Sequence, residues 1–440
     1  MQKILSTSIR GRLVRGATWS LFGSGFSQVL VLAGMALSAR FLGPTNYGEV
    51  TFVQNTALMT ALMTAPSFGL TATRYLAMHR ASNPEACGTL VSTLLTLGVV
   101  VPAVFAIGFA IFHPLLTEQF TAFRFIAEHS LLFSTLFILS AFNSVQVGVL
   151  SGFEDFKGIA IANLIKSASV VVVVPFAAQH AGVSGAMGGL VFASAVGVLI
   201  SAFVLSMQMN RHGVRRARPA LMAVKDAIVS FTLPSALATA ITLPVMWWPN
   251  ALLAQAQNGM YELGLFNAAN QWRMGVAIVF SLITAPLIPV LTSMYSGREY
   301  SRFARTIRKI TLMVGLVSVA IAAVTYLLGV PITTALFGQG YSEVSWILVL
   351  LTVSTIPSNV SSILGAALQT FNLMWAGLLV NLLWSVVFGA LCYQLHTYGS
   401  LGIALAFVTA YCVQAVASGF YLFSKLKSLE NIHPESVAAR

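Results

Sequence analysis

The sequence predicts an all-α protein: a polytopic membrane bundle of 12 transmembrane helices in two parallel-repeat six-helix lobes, both termini cytoplasmic. Three observations carry this. The 440 residues are 57% hydrophobic and only 8% charged, with a mean hydropathy of +0.84, whereas ordinary globular domains carry roughly 25% charged residues. The apolar runs are mostly about 20 to 28 residues long, enough for a helix to cross a core of about 30 Å and far longer than the roughly 10-residue strands of a membrane barrel. Finally, the cations gather in the loops of one face, and the pattern of glycines and polar residues repeats after about 216 positions.

Apolar runs between polar breaks place the spans near 16–39, 48–73, 88–112, 125–151, 158–179, 184–208, 227–254, 263–291, 310–335, 344–369, 375–395 and 401–424. The opening MQKILSTSIRGRLVRG has no short apolar stretch with a small-residue cleavage site, so the first span is expected to be retained. That span stops in ARFLGPTNYGEV, where Gly43-Pro44 ends one helix and Gly48 lets the next begin close by. Arg40 and Glu49 sit at the membrane rims of this turn. Arg74 and Arg80 follow the second span, Glu118 and Arg124 separate the third from the fourth, and Lys157 precedes the fifth. Gly185, Gly189 and Ala193 in the sixth span, like Gly402, Ala406 and Ala410 in the twelfth, are small residues one turn apart that let helices approach closely. The seventh span contains Pro234, Pro244 and Pro249, the last after Trp247 and Trp248; such prolines remove backbone bonds and permit bending.

With a cytoplasmic N-terminus, one face collects Lys3, Arg10, Arg12 and Arg15, then Arg74, Arg80 and Lys157. It also holds Arg211, Arg215, Arg216, Arg218 and Lys225, the five cations of 298–309, and Lys425, Lys427 and Arg440. Only Arg40 and Arg124 fall on the other face, with Lys166 and Arg273 inside spans, which is the positive-inside pattern. The net charge of +12 therefore flanks membrane spans and does not indicate nucleic acid, which needs a soluble basic face with aromatic platforms.

At an offset of 216, Gly43 and Gly48 fall on Gly259 and Gly264 of QNGMYELGLF; at 217, Gly148 falls on Gly365 and AGVSGAMGGLVFASA on YGSLGIALAFVTAYC. Asn163 lands one residue short of Asn381. Six spans separate equivalent points, so the repeat is parallel about an axis along the membrane normal. The expected organisation is an N-terminal lobe over 1–210, a basic cytoplasmic linker over 211–225 and a C-terminal lobe with a short cytoplasmic tail over 226–440.

Loops are no longer than about 17 residues, which leaves no room for a soluble catalytic domain. There is no GxxxxGK[ST] and no HExxH, and Cys87, Cys392 and Cys412 lack metal or redox spacing. The cysteines read as packing residues. No cofactor, no metal and no enzymatic activity are expected.

The stretch GRLVRGATWSLFGSGFSQVLVLAGMALSARFLGPTNYGEV, its echo ELGLFNAANQW and the segment GVLSGFEDFKGIA resemble the polysaccharide-transport branch (oligosaccharide flippases, Wzx-like) of the multidrug/oligosaccharidyl-lipid/polysaccharide exporter superfamily. The resemblance implies two six-helix lobes around a central cleft, lined largely by the first, second, seventh and eighth spans, and alternating access. It implies flipping of a polyprenyl-(pyro)phosphate-linked oligosaccharide from the cytoplasmic to the periplasmic face of a bacterial inner membrane, for O-antigen or exopolysaccharide biosynthesis. The partners it implies are that lipid-linked oligosaccharide and membrane lipids, with a polysaccharide polymerase and other export components as candidates.

Such a substrate offers a phosphate and a glycan, so cations and amides facing a wet cleft are the residues to seek. Arg273 lies near the midplane of the eighth span, where an arginine costs at least ~2.5–3.5 kcal/mol unless it meets water or a partner. Asn267, Asn270 and Gln271 share its polar face; at an offset of 216, Asn270 and Gln271 correspond to Gln54 and Asn55. Amides both donate and accept, which suits sugar hydroxyls, although interhelical hydrogen bonding is the competing role. Lys166, with Asn163 one turn before it, sits within snorkelling reach of the cytoplasmic edge. Ser20, Ser24, Ser27 and Gln28 form a polar stripe on the first span.

All twelve acids fall in loops or at span ends, which disfavours the alternative of a cation-coupled drug exporter, since such exporters need an acid in the membrane. A membrane polysaccharide polymerase or ligase is disfavoured because it would be expected to carry a large outward loop.

Overall fold

The computed structural model describes the backbone of residues 2–80, 83–119, 123–297, 299–371 and 373–432. Side chains are described at 19 and from 23 to 426, apart from 66, 81–82, 115–116, 119–122, 223, 234–235, 237–243, 281–286, 288–289, 298, 372 and 374. The side chains of Lys3, Arg10, Arg12, Arg15, Ser20, Pro234, Arg298, Lys427 and Arg440 thus lie outside the described residues.

The described residues are helical, with short turns and no strand. In chain order the helices are α1 (Gln2–Thr64), α2 (Pro66–His79), α3 (Pro84–Gln119), α4 (Phe123–Glu128), α5 (Ser130–Gly152), α6 (Phe156–Arg211), α7 (Leu221–Ala227), α8 (Leu233–Gln255), α9 (Gly259–Ser296), α10 (Tyr300–Phe337), α11 (Val344–Thr370), α12 (Met374–Leu395) and α13 (Gly399–Ile432). Among the described residues, seven continuous helical stretches are long and apolar enough to cross a membrane. The chain is a multi-pass membrane protein.

Three of those stretches, of 42, 56 and 52 residues, exceed the roughly 20 residues that one crossing needs. Each is broken at a glycine in a conformation that residues with a Cβ avoid. In α1 the break is Gly43 (φ 73, ψ 170), and in α6 it is Ala181–Gly182, with Gly182 at φ 55, ψ −136. Between α12 and α13 it is Gly399 (φ 62, ψ −146). All three fall in gaps between spans predicted from the sequence.

The corner at Gly182 turns α6 back on itself. Gly189 abuts the Val174 backbone, and Lys166 lies against Gly197. A Cβ at Gly185 would stand 2.0 Å from the Ala177 carbonyl oxygen, and one at Gly402 would stand 2.0 Å from that of Leu395. Gly182 and Gly399, and likewise Gly185 and Gly402, are equivalent in the 217-residue repeat, so the same hairpin corner is built twice. The glycines of the small-residue pattern are occupied in helix packing. Elsewhere the echo shifts: at the counterpart of Gly43, the left-handed residue is Asn258 (φ 58), just before Gly259.

By packing, the chain forms two units, Met1–Gln255 and Ala256–Arg440, so α8 groups with the first. In that unit the 23–42 arm of α1 packs alongside the first arm of α6, with Gly23 against the Ala160 backbone and Gly34 against that of Val170 and Val171. Gly69 of α2 and Gly148 of α5 touch backbone to backbone. The predicted second span is not straight: it kinks at Ala65, where Pro66 opens α2 at a position that needs no N–H. A π turn at Ile228–Thr232 leads into α8, and there the Thr232 hydroxyl lies 2.7 Å from that of Thr71.

In the second unit, α9, α10, α11 and α13 enclose a core built on Phe303, Ile307, Leu291 and Leu422. Glu262 of α9 accepts hydrogen bonds from the Ser400 N–H, at 2.8 Å, and from its hydroxyl, bracing the start of α13. Cys87 and Cys392 are buried as expected, but Cys412 is exposed; it sits on an outward face of α13, where a thiol is apolar enough for lipid.

Candidate functional site

Arg273 stands roughly 21 Å along α9 from Gly259 at 1.5 Å per residue. Its Nε donates to Asn270 Oδ1 at 2.8 Å, and its guanidinium lies 4.9 Å from the centroid of the Phe407 ring on α13. No acid pairs with it among the described residues. One amide and one ring orient the cation while leaving most of its donors unused. Asn267 is buried and donates to the Leu263 carbonyl at 3.0 Å. Gln271 is half-buried, and its Oε1 is fully buried with no hydrogen-bond partner.

A polar cavity of about 340 Å³ lies between α11, α12 and α13, within the roughly 300–1,000 Å³ range of small-molecule sites. Ser358, Ser361, Ser362, Gln369, Asn381 and Gln414 line it. Gln414 Nε2 donates to Asn381 Oδ1 at 2.9 Å, while the Ser361 hydroxyl is buried without a partner. Tyr411 forms part of the wall; its ring is 6.1 Å from Phe407 and 5.3 Å from Trp384. The cation and the cavity are therefore joined along α13 by neighbouring aromatic rings. The cavity residues escaped the sequence reading because short hydroxyls in apolar spans look like packing. The available signal was the amides Asn381 and Gln414 within the last two predicted spans, with Gln369 at the end of the tenth; of these only Asn381 enters the repeat, beside the counterpart of Asn163.

In the first unit, Lys166 is half-buried and lays its aliphatic stem against Gly197. Its ammonium has no hydrogen-bond or ion-pair partner among the described residues. Asn163, one turn earlier, is half-buried and does not bond to it. On α1, Ser27 is buried with an unpartnered hydroxyl, Gln28 is half-buried and Ser24 is exposed. Ser27 shares the Gly23–Gly34 face that packs on α6, so the serine stripe divides between packing and exposure.

The paired amides of the repeat have different settings. Asn55 Nδ2 donates to Asn250 Oδ1 on α8 at 3.3 Å, whereas Gln54 is half-buried with no such bond among the described residues. Below them, Trp247 Nε1 donates to the Thr56 hydroxyl at 3.0 Å. Trp247 also walls an apolar cavity of about 540 Å³ with Phe105, Phe109, Phe112, Phe133 and Phe137. Among the described residues of that wall the hydroxyls are those of Thr56 and Thr60, which already donate to the carbonyls of Phe52 and Thr56.

The segment GVLSGFEDFKGIA forms a structural corner. Asp155 caps α6 by accepting from Gly158 N–H at 3.0 Å and from Gln208 Nε2 at 2.8 Å. Glu154, left-handed at φ 61, pairs with Arg80 at 2.6 Å, and Arg80 also donates to the Gly152 carbonyl.

Residues 13–295 match the family described as polysaccharide biosynthesis protein. The chain is similar to the EPS I polysaccharide export inner membrane protein EpsE of Ralstonia nicotianae, 26% identical over 182 residues, which cover 41% of this chain and 42% of that relative. The match thus spans less than half of that protein. A "Putative O-antigen transporter" of Shigella flexneri is 22% identical over 406 residues, covering 90% of this chain and 94% of the relative. Among solved structures, an inward-facing conformation of a multidrug resistance MATE family transporter of the MOP superfamily superposes with a TM-score of 0.77 at 17% identity, covering 92% of this chain and 96% of that one. At such identity the likeness is one of fold.

Proposed function

The chain belongs to the polysaccharide biosynthesis protein family, and from that premise we propose that it is a flippase of the inner membrane. It moves a polyprenyl-(pyro)phosphate-linked oligosaccharide from the cytoplasmic to the periplasmic leaflet by alternating access, and it performs no covalent chemistry. We read twelve crossings, with both termini cytoplasmic and a basic linker at 211–225 between repeats 1–210 and 226–440. The glycine breaks within the longest helices, together with α8 and α9, support that count.

The observation that carries the reading is Arg273: an arginine deep in an apolar helix, held by one amide and one ring, and linked through Phe407 and Tyr411 to a cavity lined with hydroxyls and amides. A half-buried guanidinium with spare donors suits a phosphate or an acidic sugar, because charge-assisted bonds to it are strong and can be bidentate. The six hydrogen-bonding side chains of the cavity suit glycan hydroxyls, and Tyr411 offers an apolar sugar face a flat wall. Gln271 and Asn267 extend the polar face of α9. Lys166 with Asn163, Gln28 with Ser24, and Gln54 with Asn55 are the first unit's contributions to the path. The aromatic cavity beside Trp247 has no hydroxyl donor left to offer, and so suits the isoprenoid tail.

The test is deletion of the gene followed by sidedness analysis of lipid-linked oligosaccharide. Accumulation on the cytoplasmic leaflet, reversed by the wild-type gene, is expected. If intermediates neither accumulate nor change sidedness, the flippase reading fails.

A further inference from the structure

Residues 212–220 are not helical, yet they are fixed in place. Val214 is buried and its N–H reaches the Met209 carbonyl at 2.9 Å; Ala220 N–H donates to the Thr93 hydroxyl at 2.9 Å. Between these anchors the Arg215 carbonyl presses on α3 so closely that only a glycine, Gly88, fits beneath it: a Cβ there would stand 2.1 Å from that oxygen. The strap so formed holds Arg216 at the mouth of a cavity of about 590 Å³ between α3, α5 and the second arm of α6.

The lining of this cavity is graded. Arg216 stands at the mouth, Ser92 and Thr96 line it on α3, and Leu95, Val100 and Phe142 supply apolar wall. Gln146, the amide within, is already spent, donating to the Val198 carbonyl at 3.3 Å and accepting from Asn143 at 3.5 Å. Val100, roughly 24 Å along α3 from Pro84 at 1.5 Å per residue, is exposed, so the cavity opens sideways where lipid chains would lie. Arg216 makes no ion pair or hydrogen bond among the described residues. The acids on the neighbouring elements are Glu85 at the start of α3 and Asp226 on α7, and among the described residues neither forms an ion pair with Arg216. Asp155 is engaged by Gly158 and Gln208, and Glu154 by Arg80.

We propose that this cavity binds an anionic phospholipid, its phosphate on Arg216, its ester region against the Ser92 hydroxyl, and an acyl chain along Val100 and Phe142, the Thr96 hydroxyl already donating to the Ser92 carbonyl at 2.8 Å. A membrane-surface cation over a slot that is polar at its neck and apolar in depth matches a phosphate-headed lipid in charge and in polarity gradient. The same phosphate chemistry belongs to an isoprenoid carrier, and the experiment separates the two.

The full-length protein, purified in detergent, is titrated with phosphatidylglycerol, phosphatidylcholine or undecaprenyl phosphate, and retained lipid is counted by native mass spectrometry. Phosphatidylglycerol is expected to bind, and phosphatidylcholine at least about tenfold more weakly. Arg216→Gln, an exposed position that leaves the strap anchors intact, should weaken phosphatidylglycerol binding at least about tenfold, the loss of a charge-assisted contact. Arg211→Gln, at the same surface but away from the cavity, should weaken it no more than about fivefold, a general field effect. Leu95→Phe, which fills the slot while keeping every charge, should also weaken binding. Equal losses for Arg216→Gln and Arg211→Gln, no loss for Leu95→Phe, or retention of undecaprenyl phosphate alone would each overturn the assignment. Because the readout is bound lipid and not export, failure here leaves the flippase reading intact.

Discussion

Replacing Arg273 with methionine separates transport from folding, because the stability terms oppose each other. The substitution removes a hydrogen bond from a charged donor to Asn270 Oδ1 at 2.8 Å, about 1.5–3 kcal/mol. It also removes the contact with the Phe407 ring at 4.9 Å, about 0.5–2 kcal/mol. Against this it takes a charge out of an apolar span, relieving about 2.5–3.5 kcal/mol, and methionine refills much of the arginine's apolar volume. The net change lies between about 1.5 kcal/mol stabilising and about 2.5 kcal/mol destabilising, a shift of a few degrees for a chain of this size. Arg273→Met should therefore insert, purify and melt like the wild type in detergent, while failing to restore surface or exported polysaccharide to a deletion strain. Arg273→Lys keeps the charge but not the planar fork and should restore export only in part. Wild-type export from Arg273→Met would remove this residue from the mechanism, and a collapse of its melting temperature would show that the arginine is structural.

Ser361→Ala should be neutral or stabilising, since it removes a buried hydroxyl without a partner, relieving up to about 1–3 kcal/mol. The same variant should reduce export if the cavity holds glycan, and unchanged export with higher stability would exclude that role. Gly185→Ala and Gly402→Ala each drive a Cβ into a backbone carbonyl and should cost about 1–3 kcal/mol each; equal melting temperatures for wild type and variants would refute the corner geometry. Asp155→Ala removes the cap of α6 and the acceptor of Gln208, a loss of about 0.5–2 kcal/mol to be read by thermal unfolding, with export retained below the midpoint.

Much of the fold was legible because bilayer thickness and backbone polarity leave an apolar chain few choices. The corners at Gly182 and Gly399 were visible as a repeat, since a turn that needs a positive φ keeps its glycine in both copies. The shift from Gly43 to Asn258 was hidden, because asparagine also enters the left-handed region and the alignment followed the glycines. In the site, Arg273 and Asn270 were legible as an i,i+3 pair, a property of one helix. The ring of Phe407 above them was not, because contacts between α9 and α13 depend on tertiary packing that spacing within one helix does not encode. The same holds for the polar cavity, whose serines belong to one helix and whose amides are spread over three.

The twin corners also bear on how the chain is made. At Gly182 and again at Gly399, two long apolar helices are joined with almost no connecting segment, and each pair touches from its first turn onward. The contacts nearest each corner are local in sequence, the arrangement that forms fastest, so the two helices can start to close from the corner as they leave the ribosome. A chain released between the two halves of a pair would expose small-residue faces with no partner. The second unit ends on such a pair, whereas in the first unit the pair is followed by α7 and α8.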